Sequence, residues 1–475
     1  MKRVLLRSKK DPFQIVGPGA AIEHNIFGNN AGNLIFSQAS HKTLQTSKTE
    51  VVTNGFRADP ADAERINDEY DAFVVPLANA FRISFTGHLN DLSSLIEKLT
   101  IPVVVLGVGA QSDLDYSLDK MTPMNAPVKR FVSAVLDRSA TIGVRGEFTQ
   151  RYLQSLGFND VEVIGCPSMF MHGDHLDVAK NTDQLTTDSR IAVNASRSAL
   201  GTGDVGGIVS ANLERYPDMR YFAQETKDLS LLYWGDASGV TDKRNRMPLH
   251  RTHPLFQQNR VRVHLDPATW IDSLSDFDFA FGTRIHGNIA ALLAGTPGYV
   301  LCHDSRTLEL CRYFDIPHRA IRDLTPDVDA AELYEEADFT AMHEGHAERF
   351  ARYTSFLDKN GLDHVHQPGE DAGKAFEERV RTTVYPPGVD AWTSAEEGVS
   401  ARIGWLKHRQ AESDAKLSQL TKRVNALEKN SGQRKGTGTK TEKRLKALET
   451  AEARHPLRRA RRLAGRVLRR LGLRR

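Results

Sequence analysis

A chain of 475 residues exceeds one ordinary domain and has room for two α/β domains with an appendage. Its 40% apolar and 8% aromatic content excludes wholesale disorder. Three cysteines (Cys166, Cys302, Cys311) without a CxxC spacing argue against a disulfide framework or structural zinc and fit a reducing compartment.

The net charge of +3 hides an asymmetry, because residues 454–475 hold ten arginines and no acid, which leaves residues 1–453 at −7. No apolar segment follows the basic start MKRVLLRSKK, and no run approaches the ~20 residues that span a bilayer. A cytoplasmic protein, peripheral at the inner face of the membrane, is expected.

Along the chain, short apolar runs alternate with helical spacing. Strands are expected at 4–6, 51–53, 72–75, 103–106, 141–144 and 161–164, then at 191–194, 229–233, 261–264, 277–281 and 299–302. Several are continuously apolar, as in strands covered on both faces. Such alternation predicts two doubly wound parallel-sheet domains, 1–175 and 186–360, facing a cleft. A polar stretch at 171–189 marks their junction. Residues 361–400 read as a linker, and 401–429 as a helix that either packs on the body or zips to a second copy. A flexible linker at 430–440 and a basic amphipathic tail at 441–475 complete the chain.

Ligands in open parallel sheets bind beyond the carboxyl ends of the strands. One such end is Gly282-Thr283-Arg284-Ile285-His286, where free N–H groups of the following helix add to an anion site. Arg284 could instead pair with Asp276 or Asp278, and His286 could merely cap the helix. Arg145 follows the strand at 141–144; it could clamp a carboxylate or phosphate by two hydrogen bonds, or pair with Glu147, or stay solvated. The turn FGNNAGNLIF at 27–36, with a helix starting at Asn33 or Leu34, and the loop GVGAQSD at 107–113, which contains Gly109, allow close backbone approach to a ligand. His24, His264 and His303 are assigned structural roles.

Taken together these segments resemble the polysaccharide pyruvyl transferase family over roughly residues 14–320. The resemblance rests on NNAGN, GVGAQ, RGEFTQRYLQSLG, IGCPSMF and above all GTRIHGNIAALLAGTPGYVLCHDSR. In the last, Arg284 and His286 stand two apart, followed by Ala291, Gly295 and Pro297. Cys166 occupies a position that is often acidic in the family, and Arg306 one that is commonly lysine.

The resemblance implies an architecture like the two-domain GT-B glycosyltransferases. It implies phosphoenolpyruvate as donor, a glycan or lipid-linked glycan as acceptor, a pyruvate ketal as product, and neither cofactor nor metal. It further implies His286 and Arg284 as catalytic groups, with Arg145, Arg306, Asn33, Gly282 and Gly109 binding substrate. The nearby arginines should lower the His286 pKa.

A nucleotide-sugar glycosyltransferase and a noncatalytic membrane-tethered adaptor are the rival readings. The tail places Leu457, Ala460, Leu463, Ala464, Val467, Leu468 and Leu471 on one helical face, the pattern of a helix lying in an anionic membrane surface. Nonspecific attraction to RNA or acidic partners is the alternative, with no specific nucleic acid expected; a homo-oligomer is compatible with the 401–429 helix.

Overall fold

The computed structural model describes residues 1–237, 246–391, 396–432 and 446–447. Two compact units divide the chain, Met1–Thr393 and Ser394–Arg475.

The first unit contains two parallel sheets. In the first, β1 (Lys2–Leu6), β2 (Thr49–Thr53), β3 (Ala72–Pro76) and β4 (Val103–Leu106) lie in the order β2-β1-β3-β4. A short parallel ladder of β5 (Ile142–Val144) and β6 (Val161–Val163) extends it through a bridge between Val108 and Val144. The second sheet is built from β7 (Ile191–Asn194), β8 (Arg220–Phe222), β9 (Val261–Arg262), β10 (Phe279–Gly282), β11 (Gly298–Cys302) and β12 (His318–Ala320). Its order is β12-β11-β10-β7-β8-β9.

Alternate side chains explain the double winding. Val4, Leu6, Val74, Val104 and Leu106 enter one core, whereas Leu5, Phe73, Val75, Val103 and Val105 enter another on the opposite face. Both faces of the first sheet are therefore dry, as the continuous apolar strands require. Each sheet also reverses its winding direction once, between β1 and β3 in the first and between β7 and β10 in the second. Those reversals open crevices at the carboxyl ends of the strands.

One expected strand is a helix. Residues 229–233 lie within the helix Thr226–Trp234, and the strand of that region is the shorter β8 upstream. A short apolar run does not distinguish the two states. Here a capping box settles it, since Glu225 and Asp228 each accept a hydrogen bond from the other's backbone N–H.

The expected linker at 361–400 is also partly structured. It carries the helix Lys374–Thr382, a bridge between Val389 and Val263, and a hydrogen bond from the Tyr385 hydroxyl to the Pro12 carbonyl (3.1 Å).

In the second unit the helix Glu396–Gly432 exposes Ile403, Leu406, Leu420 and Leu427. The tail at 441–475 and residues 433–440 of the expected flexible linker lie outside the described residues, apart from Lys446 and Ala447. Among the described residues no helix is long and apolar enough to cross a membrane.

Gly282 ends β10 with φ at +148°, and a Cβ there would stand 1.8 Å from the Asn194 carbonyl oxygen of β7. Gly282→Ala is expected to lose about 2–5 kcal/mol of stability, read by urea denaturation; an unchanged midpoint would contradict this tight pairing.

Candidate active site

A cavity of about 490 Å³ opens where the two sheets face each other. The first sheet supplies the asparagine turn, Asn79, Arg82 and Arg145. The second supplies Ser196, Gln224, Glu225, Thr283, Arg284, His286, His303 and Arg306. Of the residues expected from sequence, Asn33, Arg145, Arg284, His286 and Arg306 line this one space. Gly109 and Gly282 do not line it. Gly109 instead abuts the Arg145 side chain, where an added Cβ would lie 2.9 Å from Cδ, and Gly282 seats the strand end against Asn194.

Backbone contacts stitch the two walls together. Asn30 forms an antiparallel bridge with Glu225, and the Ala31 N–H donates to the Gln224 carbonyl at 2.7 Å. On the far side the Ser112 N–H donates to Ser305 Oγ at 2.7 Å, and Ser305 Oγ donates to the Ala110 carbonyl at 3.0 Å. The helix Gly32–Leu44 begins at Gly32, one residue before the expected start. No side chain fits there, since a Cβ on Gly32 would stand 2.8 Å from the His286 Cβ. Asn33 closes the turn by donating to the carbonyls of Phe27 (2.7 Å) and Gly28 (3.2 Å).

The arginines are not equivalent. Arg284 pairs with Glu225, and neither Asp276 nor Asp278 takes it; its Nε donates to the Ala195 carbonyl at 3.2 Å. Glu225 is shared with Arg197 at 3.0 Å, and Arg197 also reaches Asp228 at 2.5 Å. Arg306 pairs with Asp304 at 2.6 Å. Both carboxylates, Glu225 and Asp304, are helix N-caps, where the helix dipole favours negative charge.

Arg145 differs. It is 1% exposed, its Nε donates to the Gly107 carbonyl at 2.9 Å, and among the described residues its Nη1 has no partner. Glu147, the alternative partner, lies 3.7 Å from Arg151 instead. Arg82, which the sequence reading missed, also makes no ion pair among the described residues, and its Nε is buried without a partner there. With its amide oriented to suit its neighbours, Asn79 accepts from Arg82 Nη1 at 2.7 Å and from Arg306 Nη1 at 3.2 Å. The Gln224 amide, also on the wall, is unpartnered at both ends. Buried polar atoms left over around one cavity mark a place built to receive a polar ligand.

His286 is buried against Phe36, with its ring 5.7 Å from the Phe36 ring and Nε2 3.6 Å from Cys166 Sγ. Burial, then the charges of Arg145 and Arg306, hold its pKa well below the ordinary histidine value. Burial raises Glu309, next to Arg145, to about 8. Burial would also raise Asp304, but Arg306 and His303 outweigh it and bring that carboxyl down to about 2.

His303, assigned a structural role from sequence, lines the cavity, with Nε2 3.2 Å from Ser198 Oγ. Arg82 and Gln224 stand on no motif and could be found only from the fold; His303 lies within the motif that ends at Arg306, but only the fold turns it toward the cavity.

The sequence model of the polysaccharide pyruvyl transferase family matches residues 30–305, more than half of the chain. The chain belongs to that family. The matched span opens at Asn30 and takes in Asn33, Arg82, Arg145, Arg284 and His286, with Arg306 the first residue beyond it. No curated protein matches the chain by sequence.

Among solved structures, the chain is similar to the Methanocaldococcus jannaschii UDP-GlcNAc 2-epimerase in complex with UDP-GlcNAc and UDP. Identity is 11% over 75% of this chain and 99% of that one, with a TM-score of 0.40. It is similar also to the Neisseria meningitidis UDP-GlcNAc 2-epimerase bound to UDP-GlcNAc, at 11% identity over 80% and 100% with a TM-score of 0.38.

Burial holds His41, His264, His303 and His366 at about 4, 3, 4 and 4, below the ~6.5 of an unfolded chain. Between those values the unfolded state binds more protons, so stability is full above pH ~6.5 and falls as pH drops toward 4. Thermal melts from pH 7.5 to 4.5 are expected to show this acid loss. In His264→Gln the slope should flatten by about 1.4 kcal/mol per pH unit; an identical slope would contradict the assignment.

Proposed function

We propose that this chain transfers a pyruvyl group from phosphoenolpyruvate to two hydroxyls of a sugar. The sugar belongs to a surface polysaccharide or its lipid-linked precursor, and the products are a pyruvate ketal and phosphate. One observation carries the reading: Arg82 and Arg145 present unpaired donors beside Arg284, Arg306 and His286 in a single cavity. Phosphoenolpyruvate carries about three negative charges, on a carboxylate and a phosphate. Guanidinium groups suit both by paired hydrogen bonds.

The chemistry begins with a proton on the C3 methylene, which makes C2 electrophilic. One sugar hydroxyl adds to C2 and releases its proton. The C2–O bond to phosphate then breaks, both electrons leave with phosphate, and the second hydroxyl adds and releases its own proton. One of these protons replaces the one spent on C3, and the other leaves on hydrogen phosphate.

His286 is the group we assign to the proton. Before the donor binds, burial and two arginines disfavour imidazolium. A trianion beside those arginines offsets their charge and raises the pKa, so binding the donor would arm the acid. Arg306 and Arg145 would steady the departing phosphate. No cofactor or metal enters this scheme.

The test is phosphate release from phosphoenolpyruvate by the full-length protein with a polymeric or lipid-linked glycan. His286→Ala should lower kcat by about 10²–10⁴-fold, and Arg145→Met should raise the phosphoenolpyruvate KM by roughly 10- to 100-fold. Undiminished turnover in both variants, or protection against heat by UDP-sugars and not by phosphoenolpyruvate, would remove the assignment.

For residues 454–475 we propose attachment to an anionic membrane surface, on the sequence pattern of apolar and arginine faces. Each basic residue near such a surface contributes about 1 kcal/mol. Liposomes with anionic lipid should float the full-length protein and leave a Δ454–475 protein behind. Equal flotation of both would end the idea.

A further inference from the structure

Next to the donor cavity lies a second chamber of about 390 Å³, and the two share Gly28, Asn29, Asn33, Ala78, Asn79 and Arg82 in their walls. Its far wall carries Arg7, Lys9, Phe56 and Phe85. None of these belongs to the motifs that mark the donor site.

Arg7 is the residue that most needs explaining. It follows β1 directly, at the point where the first sheet reverses its winding direction. Its side chain is 9% exposed and, among the described residues, makes no ion pair and no hydrogen bond. Aromatic rings flank it, with the guanidinium carbon 4.4 Å from the Phe56 ring centre and 5.9 Å from that of Phe85. Burial alone pushes its pKa down, to about 10, and no carboxylate opposes that shift. A buried cation without a counter-charge is costly to fold, and a chain keeps one where an anion will arrive.

Phe56 supplies an independent mark. It sits at φ +63°, in the left-handed region that a bulky residue rarely adopts, and its N–H is held by Asn54 Oδ1 at 3.0 Å. That strained backbone sets the ring between Arg7 and Gly28, where an added Cβ on Gly28 would lie 2.5 Å from the ring edge. Strain of this kind persists where the surrounding structure enforces it, commonly at ligand sites. Aromatic faces beside cations are also what a sugar bearing a negative group requires, the ring for its C–H face and the cation for its charge.

We propose that this chamber is the acceptor subsite and that it takes an anionic sugar, with Arg7 and Lys9 on a phosphate or carboxylate and Phe56 and Phe85 against the sugar ring. Each sheet then contributes its own crevice, the second sheet to the donor and the first sheet to the acceptor. The shared wall at Asn33, Asn79 and Arg82 puts the reacting hydroxyls beside the donor. The proposal rests on the pyruvyl-transfer reading.

The experiment is thermal melting of the full-length protein saturated with phosphoenolpyruvate, titrated with glucose 1-phosphate, glucuronate or methyl glucoside. One or both charged sugars should raise the midpoint while methyl glucoside does not. The stronger of the two identifies the anion as phosphate or carboxylate. Arg7→Met should weaken that sugar by roughly 10- to 100-fold and leave the shift caused by phosphoenolpyruvate alone unchanged. If Arg7→Met does not fold, Lys9→Met reads the same chamber and should weaken binding by about 3-fold or more.

Equal shifts from charged and uncharged sugars, or no shift from any, overturn the subsite. So does loss of the phosphoenolpyruvate shift in Arg7→Met, which would make Arg7 a donor contact. Absence of a phosphoenolpyruvate shift in the unaltered protein would instead strike the donor reading.

Discussion

The chain buries a guanidinium group, that of Arg145, and among the described residues no carboxylate forms an ion pair with it. A charge taken out of water costs several kcal/mol unless its donors are met. Arg145 meets part of that demand with the Gly107 carbonyl, and among the described residues its Nη1 has no partner. The loop at 107–113 must pass close enough to offer that carbonyl, Gly109 must carry no side chain because Arg145 lies against it, and Glu309 stays near neutrality behind it. The cleft is arranged around this one unfinished set of hydrogen bonds.

The other arginines show the opposite solution. Arg284 and Arg306 are held by Glu225 and Asp304, each already committed as a helix N-cap. Those ion pairs orient the guanidinium groups and lower the net charge of the cleft. A ligand gains from the unpaired donors first, and from the paired ones as a surrounding field. This division between oriented and unsatisfied cations suits a site that receives an anion.

The winding of the two sheets explains why the site has two chambers. Each sheet reverses direction once, and each reversal leaves an opening beyond its strand ends. Arg7 and the Leu77–Asn79 segment belong to one opening, and Asn194, Thr283 and Arg284 to the other. Contacts from the asparagine turn to Gln224 and Glu225 bring the openings together along one wall.

The strands and the chemistry at their ends could be read from sequence, because continuous apolar runs and arginines just beyond them are local signals. Arg145, Arg284, His286, Arg306 and Asn33 stand in motifs whose order survives in the linear chain, and all five meet in one cavity. The run at 229–233 misled because a short, mostly apolar segment suits either a strand or a buried helix face. Only the Glu225–Asp228 box, once paired, decides between them.

Which arginines keep a carboxylate and which do not was beyond the sequence, since Glu225 lies 59 residues from Arg284. The places of Arg7, Arg82 and Gln224 in the site were invisible for the same reason, and His303 was read as structural. Their meaning comes from burial and from neighbours distant in the chain, and those are properties only of the folded molecule.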